Sequence, residues 1–254
     1  MRKSVPSAVK KKTQLPSLSV FFPCYNEEKN IPIFVADALT VLPTISKKFE
    51  IIIVNDGSND HTKKIAQRLA KKHPELKIVH HEKNKGYGAS LLSGFKAAQY
   101  EWVFFTDGDL QFALGQLALL VKHTPKYQVV IGYRKRRADG FVRSRNAWLY
   151  KKFIDLLFRL HVKDIDCAFK LLKKEDIDSL NLESNGAFIS AEMLYKLKKK
   201  KIVFKQVPVD HFPRKFGKPT GANFKVILKA CVDAVRLYLH MKFHLFNSAE
   251  FLQK

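Results

Sequence analysis

The sequence is poor in cysteine and in acidic residues, and it has no long uninterrupted apolar run. The three cysteines, Cys24, Cys167 and Cys231, are odd in number and far apart, which argues against a disulfide framework and fits a reducing compartment. No cysteine or histidine cluster has zinc-ligand spacing, so we expect no structural zinc. With 46% hydrophobic residues, the 254-residue chain can fold as one large α/β domain without disulfide support.

The scarcity of acidic residues leaves a large positive charge. The chain has 23 Asp and Glu against 46 Lys and Arg, which gives a net charge of +23. This excess favours polyanionic partners such as nucleic acid, anionic lipid head groups or phosphorylated substrates. A lysine-rich surface that is merely solvated explains many of the scattered lysines equally well.

Neither end of the sequence has the pattern of a signal peptide or a membrane span. Residues 1–14 are basic and no apolar region follows them, so we predict a disordered tail there. Residues 222–254 include the apolar-rich stretch Phe224–Phe246, which charged residues interrupt every few positions. We predict an amphipathic helix here, packed on the domain or on a membrane surface, and not a membrane span.

Short apolar runs alternate with helical patterns in the first half of the chain. The runs predict strands at Leu18–Phe22, Phe49–Val54, Lys77–His80 and Trp102–Thr106. The patterns predict helices at Ile31–Leu42, Thr62–Lys72 and Ala89–Gln99. Strands that alternate with helices of this length indicate a doubly wound, mostly parallel sheet, in which ligands bind beyond the carboxyl ends of the strands.

The pattern changes in the second half. A fifth strand is predicted at Tyr127–Gly132, and a basic loop at Arg134–Arg145 leads into an amphipathic helix at Ala147–Leu160. A helix at Ala191–Lys199 and a strand at Ile202–Val209 follow. Because no internal repeat and no linker interrupts the pattern, we expect a single domain over residues 15–221.

Three polar clusters follow predicted strands, at Pro23–Glu28, Asn55–Asp60 and Asp107–Gln111. Since the carboxyl ends of parallel strands meet at one edge of a sheet, the clusters should meet at one site. In the third cluster, Asp107 and Asp109 offer hard oxygen ligands that suit Mg²⁺ or Mn²⁺. An ordinary acidic turn would explain this motif in isolation, but its place behind two other polar loops favours the metal.

The first two clusters each allow a structural and a ligand-binding interpretation. Asp56 belongs to a strand-to-helix turn in which Ser58 or Asp60 could cap the next helix, and its carboxylate could equally accept hydrogen bonds from a nucleobase or ribose. Tyr25 offers a ring on which a base could stack. The segment Gly86–Gly88 is an incomplete phosphate-binding pattern, and we predict a turn that starts a helix.

These motifs, in this order, resemble the family 2 inverting glycosyltransferases, and among them the polyprenyl-phosphate sugar synthases. The resemblance extends from about Leu18 to Gly221, and it implies a GT-A fold, a nucleotide-diphosphate sugar donor and a polyprenyl-phosphate acceptor. Carried over by position, it implies the following nucleoside contacts: Pro23, Tyr25, Glu27, Val54 and Asp56. It also implies that Asp107 and Gly108 lie along the diphosphate and sugar, and that Asp109 and Gln111 ligate the metal.

Weaker marks of the same family lie in the second half. Gly132-Tyr133-Arg134 matches an element whose arginine meets phosphate, and Asp164–Lys170 matches a stretch that shapes the sugar pocket. Arg214-x-x-Gly217 matches a loop that closes over the diphosphate. The usual Ser-Lys of that loop is Pro219-Thr220 here, so Lys218 is the candidate cation.

The basic loop is the candidate acceptor site. A phosphate acceptor needs guanidinium donors, for which we predict Arg134, Arg143 and Arg145, although a solvated loop would have the same composition. With Asp107 and Asp109, Arg134 and Arg145 form the predicted catalytic set. A hydroxyl acceptor would instead need a general base, for which Glu192 is the first candidate and Asp166 the second. Among the histidines, only His211 is predicted to lie near the site.

We therefore expect a metal-dependent glycosyltransferase, peripheral on the cytoplasmic face of an anionic membrane, which a separate membrane-embedded subunit could join. One alternative is a family 2 transferase that acts on a sugar or other hydroxyl acceptor. A more remote alternative is a basic, non-catalytic binding module on a degenerate transferase fold. The retained Asp107, Asp109 and Gln111 and the lack of an RNA-binding signature argue against it, and no nucleic-acid partner is expected.

Overall fold

The computed structural model describes residues 13–136, 138, 141–217 and 224–243. Seven strands form one sheet: β1 Leu15–Cys24, β2 Ser46–Asp56, β3 Leu76–His81, β4 Trp102–Thr106, β5 Val129–Arg134, β6 Phe169–Lys173 and β7 Phe204–Val209. The helices are α1 Ile31–Ile45, α2 Thr62–Ala70, α3 Tyr87–Ala97, α4 Leu117–Val121, α5 Phe141–Phe158, α6 Lys174–Asp178, α7 Ile189–Lys199 and α8 Phe224–Phe243, with a 3₁₀ turn at Leu114–Gln116.

The strand order is β3-β2-β1-β4-β6-β5-β7. Strands β1 to β4 are parallel neighbours, as is the pair β5 and β7, so the predicted α/β domain with a mostly parallel sheet is confirmed. Strand β6 was not predicted as a separate element, and it runs antiparallel between β4 and β5. Because Phe169 pairs with Thr106, β6 begins where β4 ends. The turn before β6 therefore lies at the ligand-binding edge of the sheet.

Apolar residues fill both faces of the sheet. All five residues of β4 are buried, as expected for a strand that is covered on both sides. Along β1, Val20 and Phe22 pack on the side of α1 and α4, whereas Phe21 packs on the side of α3, α5, α7 and α8. This alternation follows from the two-residue period of a strand. The two helical layers hold the polar carboxyl ends of the strands between them.

Among the predicted elements, the largest shift of a boundary is at the start of α5. The segment predicted as a basic loop ends earlier, because the helix begins at Phe141 and already contains Arg143 and Arg145. No glycine or proline lies between Phe141 and Phe158, and arginine is a good helix former, so the helix extends into the basic segment. The ends of α2 and α3 lie within about two residues of the predicted ones, the usual uncertainty of helix ends.

The predicted boundaries at the two ends of the chain fall largely outside the described residues. Of the predicted tail at residues 1–14, only Thr13 and Gln14 are described, and the predicted C-terminal helix is described over Phe224–Phe243. In the described part of the chain, no helix has the length and apolar character needed to cross a bilayer. The domain boundaries thus remain predictions.

The packing of α3 on β1 leaves no room for a side chain at Gly94. A Cβ there would lie 2.3 Å from Cδ2 of Phe21, whereas a Cβ at Gly115 would have no heavy atom within 4 Å. We expect Gly94→Ala to lower the free energy of unfolding by about 1–3 kcal/mol through overpacking. The control Gly115→Ala should leave it unchanged or raise it by up to about 1 kcal/mol. Urea titrations measure both, and equal effects would contradict this packing.

Candidate active site

The carboxyl ends of β1, β2 and β4 open onto a cavity of about 720 Å³. The three polar clusters meet there, as predicted. The cavity is lined by Tyr25 and Glu27, by Asp56, and by Asp107, Gly108, Asp109 and Gln111. The second half of the chain closes the opposite side with parts of α5 and α8 and with the following residues: Arg134, Asp166, Asn185–Ala187, His211 and Arg214. One cavity thus receives residues from nearly the whole described chain.

The segment after β4 forms the floor of the cavity. Asp109 Oδ1 accepts a hydrogen bond from the Gln111 main-chain N–H at 3.1 Å, and the Gln111 side-chain amide donates to the Phe212 carbonyl at 3.1 Å. The amide oxygen of Gln111 is then the atom left to ligate a metal. Gly108 lies against Cys24, since a Cβ at Gly108 would be 3.0 Å from the cysteine Sγ. This close approach explains why a glycine separates the two carboxylates.

Asp107 is the most strongly perturbed carboxyl group of the floor. Burial raises its pKa to about 7, the nearby charge of Asp109 adds to this, and a hydrogen bond from the Tyr87 hydroxyl opposes it. Its Oδ1 is buried without a hydrogen-bond partner among the described residues. An unpartnered carboxylate oxygen in a buried acidic pair is costly unless a cation or a ligand donor completes it.

Arg214 joins two of the acidic residues across the cavity. Its guanidinium contacts the Glu27 carboxylate, lies 3.5 Å from Asp109 Oδ2, and donates to the Phe216 carbonyl at 2.7 Å. Glu27 also accepts a hydrogen bond from the Asn30 amide. Burial raises the pKa of Glu27, and the Asn30 and Arg214 contacts lower it. Arg214 therefore supplies positive charge where a metal and a diphosphate are expected.

Asp56 is engaged by three donors. Its carboxylate accepts hydrogen bonds from the main-chain N–H groups of Lys85 and Gly86 at 2.8 and 2.9 Å, and its Oδ1 lies 2.7 Å from His81 Nδ1. His81 Nε2 in turn lies 2.8 Å from Ser93 Oγ. Asp56 thus lines the cavity and fixes the glycine-containing turn that starts α3, whereas its contact with a base or ribose stays a prediction.

Glu192 was the first candidate for a general base, but the carboxylate that reaches the cavity is Asp166, in the turn before β6. Asp164 holds the Arg134 guanidinium with two hydrogen bonds, at 2.6 and 2.7 Å, and Asp166 lines the cavity. Glu192 is buried elsewhere, where it accepts hydrogen bonds from the Glu183 and Ser184 main-chain N–H groups at 2.9 Å. Of the two candidates for a general base, Asp166 is the one that faces the cavity.

The remaining predicted contacts differ in where the structure places them. Pro23 and Arg134 line the cavity, whereas the Val54 side chain is fully buried in the core, so only its main chain is left for a ligand. Arg145 is exposed on α5 beside Asn146, which does line the cavity. The side chain of Arg143 and the whole of Lys218 lie outside the described residues.

Sequence reasoning missed several residues of the cavity. Tyr87 starts α3, and its hydroxyl reaches Asp107 across the fold, which no local pattern reveals. Lys229 of α8 lines the cavity beside Val226, Ile227 and Ala230. The charged residues that interrupt the apolar C-terminal segment were the only available signal for this placement, and they do not identify which face meets the cavity.

The oxygen atoms on the floor of the cavity suit a hard divalent cation, but they would fill only part of its coordination shell. In the described part of the chain, no group of three or more His, Cys, Asp and Glu side chains could enclose a metal ion. Asp109 and Gln111 nevertheless lie next to each other, since Asp109 Oδ1 accepts from the Gln111 main-chain N–H, and the unpartnered Oδ1 of Asp107 lies on the same floor. Mg²⁺ and Mn²⁺ accept such partial sites, because substrate phosphates supply the other ligands.

A family model confirms what the motifs imply. The model for glycosyl transferase family 2 matches residues 19–180, which is well over half of the chain. The chain belongs to glycosyl transferase family 2. The matched region includes all three polar clusters and the turn before β6, and it ends before Arg214.

Two proteins that are similar to this chain have names that specify an activity. The undecaprenyl-phosphate 4-deoxy-4-formamido-L-arabinose transferase of Aeromonas hydrophila is 28% identical over 66% of this chain and 52% of its own length. The dolichyl-phosphate beta-glucosyltransferase of Trichomonas vaginalis is 26% identical over 87% of this chain and 72% of its own length. The chain spans about half the length of the first of these relatives.

Solved structures agree with the fold. Glucosyl-3-phosphoglycerate synthase of Mycobacterium tuberculosis, in complex with Mn²⁺, UDP and glucosyl-3-phosphoglycerate, superimposes with a TM-score of 0.68 at 18% identity. The match covers 92% of this chain and 82% of that one. The GT-A fold implied by the motifs is therefore confirmed.

The hydrogen bonds of Asp56 generate a test of the cavity wall. In Asp56→Asn an amide N–H₂ replaces one acceptor oxygen, so at least one bond to a charged acceptor is lost, and we expect the free energy of unfolding to fall by about 1.5–3 kcal/mol. Asp37→Asn, an exposed site on α1, is the control and should change little. Urea titration together with amide exchange at Lys85 and Gly86 measures the effect, and unchanged exchange there would contradict the assignment.

Proposed function

We propose that this protein transfers a sugar, with inversion, from a nucleotide-diphosphate sugar to a polyprenyl-phosphate lipid. The observation that carries the proposal is the two-sided character of the cavity. Its floor is acidic and carries the oxygen atoms of Asp107, Asp109 and Gln111, of which we propose the last two residues as metal ligands. Helices α5 and α8 wall its other side with Ala147, Val226, Ile227 and Ala230 beside Lys229. Such a cavity suits a charged donor on one side and an acceptor with a phosphate and an apolar chain on the other.

The donor's nucleoside belongs at the β1 and β2 end of the cavity. We place the base against Tyr25 and the ribose near Glu27 and Asp56, with Pro23 and the Val54 main chain at the back of this subsite. The hydrogen bonds that Asp56 makes to the turn at Lys85 and Gly86 hold this wall rigid before the donor arrives. A preformed wall reduces the entropy lost on binding.

The diphosphate belongs between the floor and the loop that carries Arg214. We assign Asp109 and Gln111 as ligands of Mg²⁺ or Mn²⁺, with Asp107 and Gly108 along the diphosphate and sugar. When bound, the metal would neutralise the negative charge of the departing nucleotide. Arg214, together with Lys218, would add charge-assisted hydrogen bonds to the same phosphates. The mycobacterial synthase, which has the same fold, was solved with Mn²⁺ and UDP, and this supports a divalent metal and a nucleotide diphosphate as ligands.

The acceptor belongs at the α5 and α8 end. A phosphate monoester has a second pKa of about 6, so near pH 7 it is mostly dianionic and needs cations to hold it, and no general base. Arg134, Arg143 and Arg145 remain the proposed cations, and Lys229 joins them because it lines the cavity. The names of the Aeromonas and Trichomonas relatives support a polyprenyl-phosphate acceptor.

A hydroxyl acceptor is the second candidate, because a carboxylate that could act as its general base lines the cavity. Asp166 lines the cavity, and a carboxylate in that position can remove the proton of an attacking hydroxyl group. Glu192 is not offered for this role, since its carboxylate is used by main-chain N–H groups away from the cavity. Comparing a polyprenyl phosphate with the corresponding polyprenol separates the two candidates.

The decisive experiment measures sugar transfer from a panel of nucleotide sugars with Mn²⁺ present. We expect transfer to undecaprenyl or dolichyl phosphate and none to the unphosphorylated alcohol. Asp109→Asn should reduce the rate by roughly 10²–10⁴, because a charged metal ligand is lost. EDTA should abolish transfer, and added Mn²⁺ should restore it.

The control for that variant is Asp210→Asn, which removes an exposed carboxylate paired with Lys135. It should retain the wild-type rate. Full activity in EDTA would overturn the metal assignment, and transfer to the alcohol but not to the phosphate would move the assignment to the hydroxyl acceptor.

The protein would meet its lipid acceptor at an anionic membrane surface on the cytoplasmic side, alone or with a membrane-embedded subunit. Helix α8 exposes an apolar stripe at Leu228, Val232, Val235 and Leu239. Lys229 is exposed next to this stripe, and α5, which packs against α8, exposes Trp148, Leu149 and Leu156. An apolar stripe flanked by basic side chains is the pattern of a helix that lies in a membrane interface.

Membrane contact predicts a dependence on both charge and apolar area. Wild-type protein should bind vesicles that contain anionic lipid and should bind neutral vesicles less, with a steep loss between low and moderate salt. The double variant Val232→Ser and Leu239→Ser should weaken binding by about tenfold or more, since each buried apolar side chain contributes about 1.5–3 kcal/mol. Ile33→Ser, an exposed apolar site on the opposite layer, is the control. Vesicle sedimentation measures this, and equal binding of all variants would count against it.

A further inference from the structure

A lysine lies fully buried in the centre of the sheet. Lys170 of β6 is 0% exposed and sits between Phe105 of β4 and Ile131 of β5 in the strand register. Its Nζ donates to the Ile165 carbonyl at 3.1 Å and to the Cys167 carbonyl, and it lies 5.6 Å from the centre of the Phe105 ring. The ammonium group is thus directed at the turn that precedes its own strand.

A buried ammonium group is unfavourable unless its surroundings favour its charge. Burial lowers the pKa of Lys170, and the carboxylates of Asp164 and Asp166 act in the opposite direction. An apolar side chain of similar volume would often serve stability as well or better at such a position. Lys170 therefore contributes through the geometry that it imposes on the turn before β6.

That geometry concerns the two carboxylates of the turn. Asp164, at one end, holds Arg134 through two hydrogen bonds, and Asp166 lines the cavity. The carbonyl groups that Lys170 binds belong to Ile165 and Cys167, the residues on either side of Asp166. Fixing both neighbours of a residue fixes the direction of its side chain, because the main chain between them can no longer rotate.

We propose that Lys170 is a positioning residue that holds the 164–167 turn so that Asp166 faces the sugar of the donor. The inference rests on the proposed function for its kinetic part, but not for its structural part. Lys170 itself touches no substrate, so its effect on transfer passes through Asp166.

The structural part is tested by amide exchange on the intact protein. Lys170→Met keeps the length of the side chain and removes the donor, and we expect exchange in residues 164–168 to rise about tenfold or more, with β1 and β2 unchanged. Lys173→Met is the matched control, because Lys173 lies on the same strand, contacts the Trp102 ring and pairs with Glu101 at 2.9 Å near the surface. It should leave exchange in the turn unchanged.

The kinetic part is tested by measuring kcat in a double-variant cycle. The donor is UDP-glucose, the acceptor is undecaprenyl phosphate, and Mn²⁺ is present. We expect Lys170→Met and Asp166→Asn each to lower kcat by about tenfold, and the double variant to be within about threefold of the worse single variant. Such non-additivity follows if Lys170 acts through Asp166. Lys170→Arg, which keeps the charge and the donors, should recover part of the loss.

Two results would overturn the proposal. One is exchange in Lys170→Met that rises uniformly over all strands with a lower melting temperature, since this would reduce Lys170 to a stabilising residue. The other is multiplication of the two kinetic losses in the double variant. A wild-type protein that transfers no sugar to the phosphate counts against the proposed function alone, because exchange in the turn still decides the role of Lys170.

Discussion

The structure depends on the balance of negative charge at one edge of its sheet. The parallel register of β1, β2 and β4 brings four carboxylates, Glu27, Asp56, Asp107 and Asp109, to the same cavity. In a buried site like charges repel strongly, so each needs a partner. Main-chain N–H groups and His81 serve Asp56, Tyr87 serves Asp107, and Arg214 serves both Glu27 and Asp109. A strongly basic chain thus carries an acidic centre.

The parts of this centre that follow from the sequence are those encoded locally. The strands of the first half, the three polar clusters and their meeting at one edge were all predictable, because a parallel sheet leaves little freedom in where its strand ends lie. The family 2 membership was predictable for the same reason, since its motifs occupy those strand ends. Metal binding and the contacts of individual residues with ligands, such as that of Gln111 with a metal, remain predictions.

The parts that sequence reasoning did not reach depend on contacts between distant segments. Arg214 meets Glu27 across 187 positions of sequence, and the antiparallel β6 is inserted between two strands that a simple alternating pattern would place side by side. The wrong ranking of Glu192 above Asp166 has the same origin, since Asp166 is the carboxylate that lines the cavity. The direction of a side chain on a helix or turn is set by the partner that packs against it, and that partner is not visible in local spacing.

The loop after β7 and the segment after β4 are joined at two places. The main-chain N–H of Phe212 donates to the Gln111 carbonyl at 2.8 Å, and the Gln116 side chain both accepts from the Asp210 N–H and donates to its carbonyl. Two stretches of chain about a hundred residues apart therefore behave mechanically as a single strip. Because Arg214 follows this strip by two residues, its main chain is anchored from one side. Its side chain is only 18% exposed, so rotating it out of the acidic centre must first break its contacts with Glu27 and Asp109.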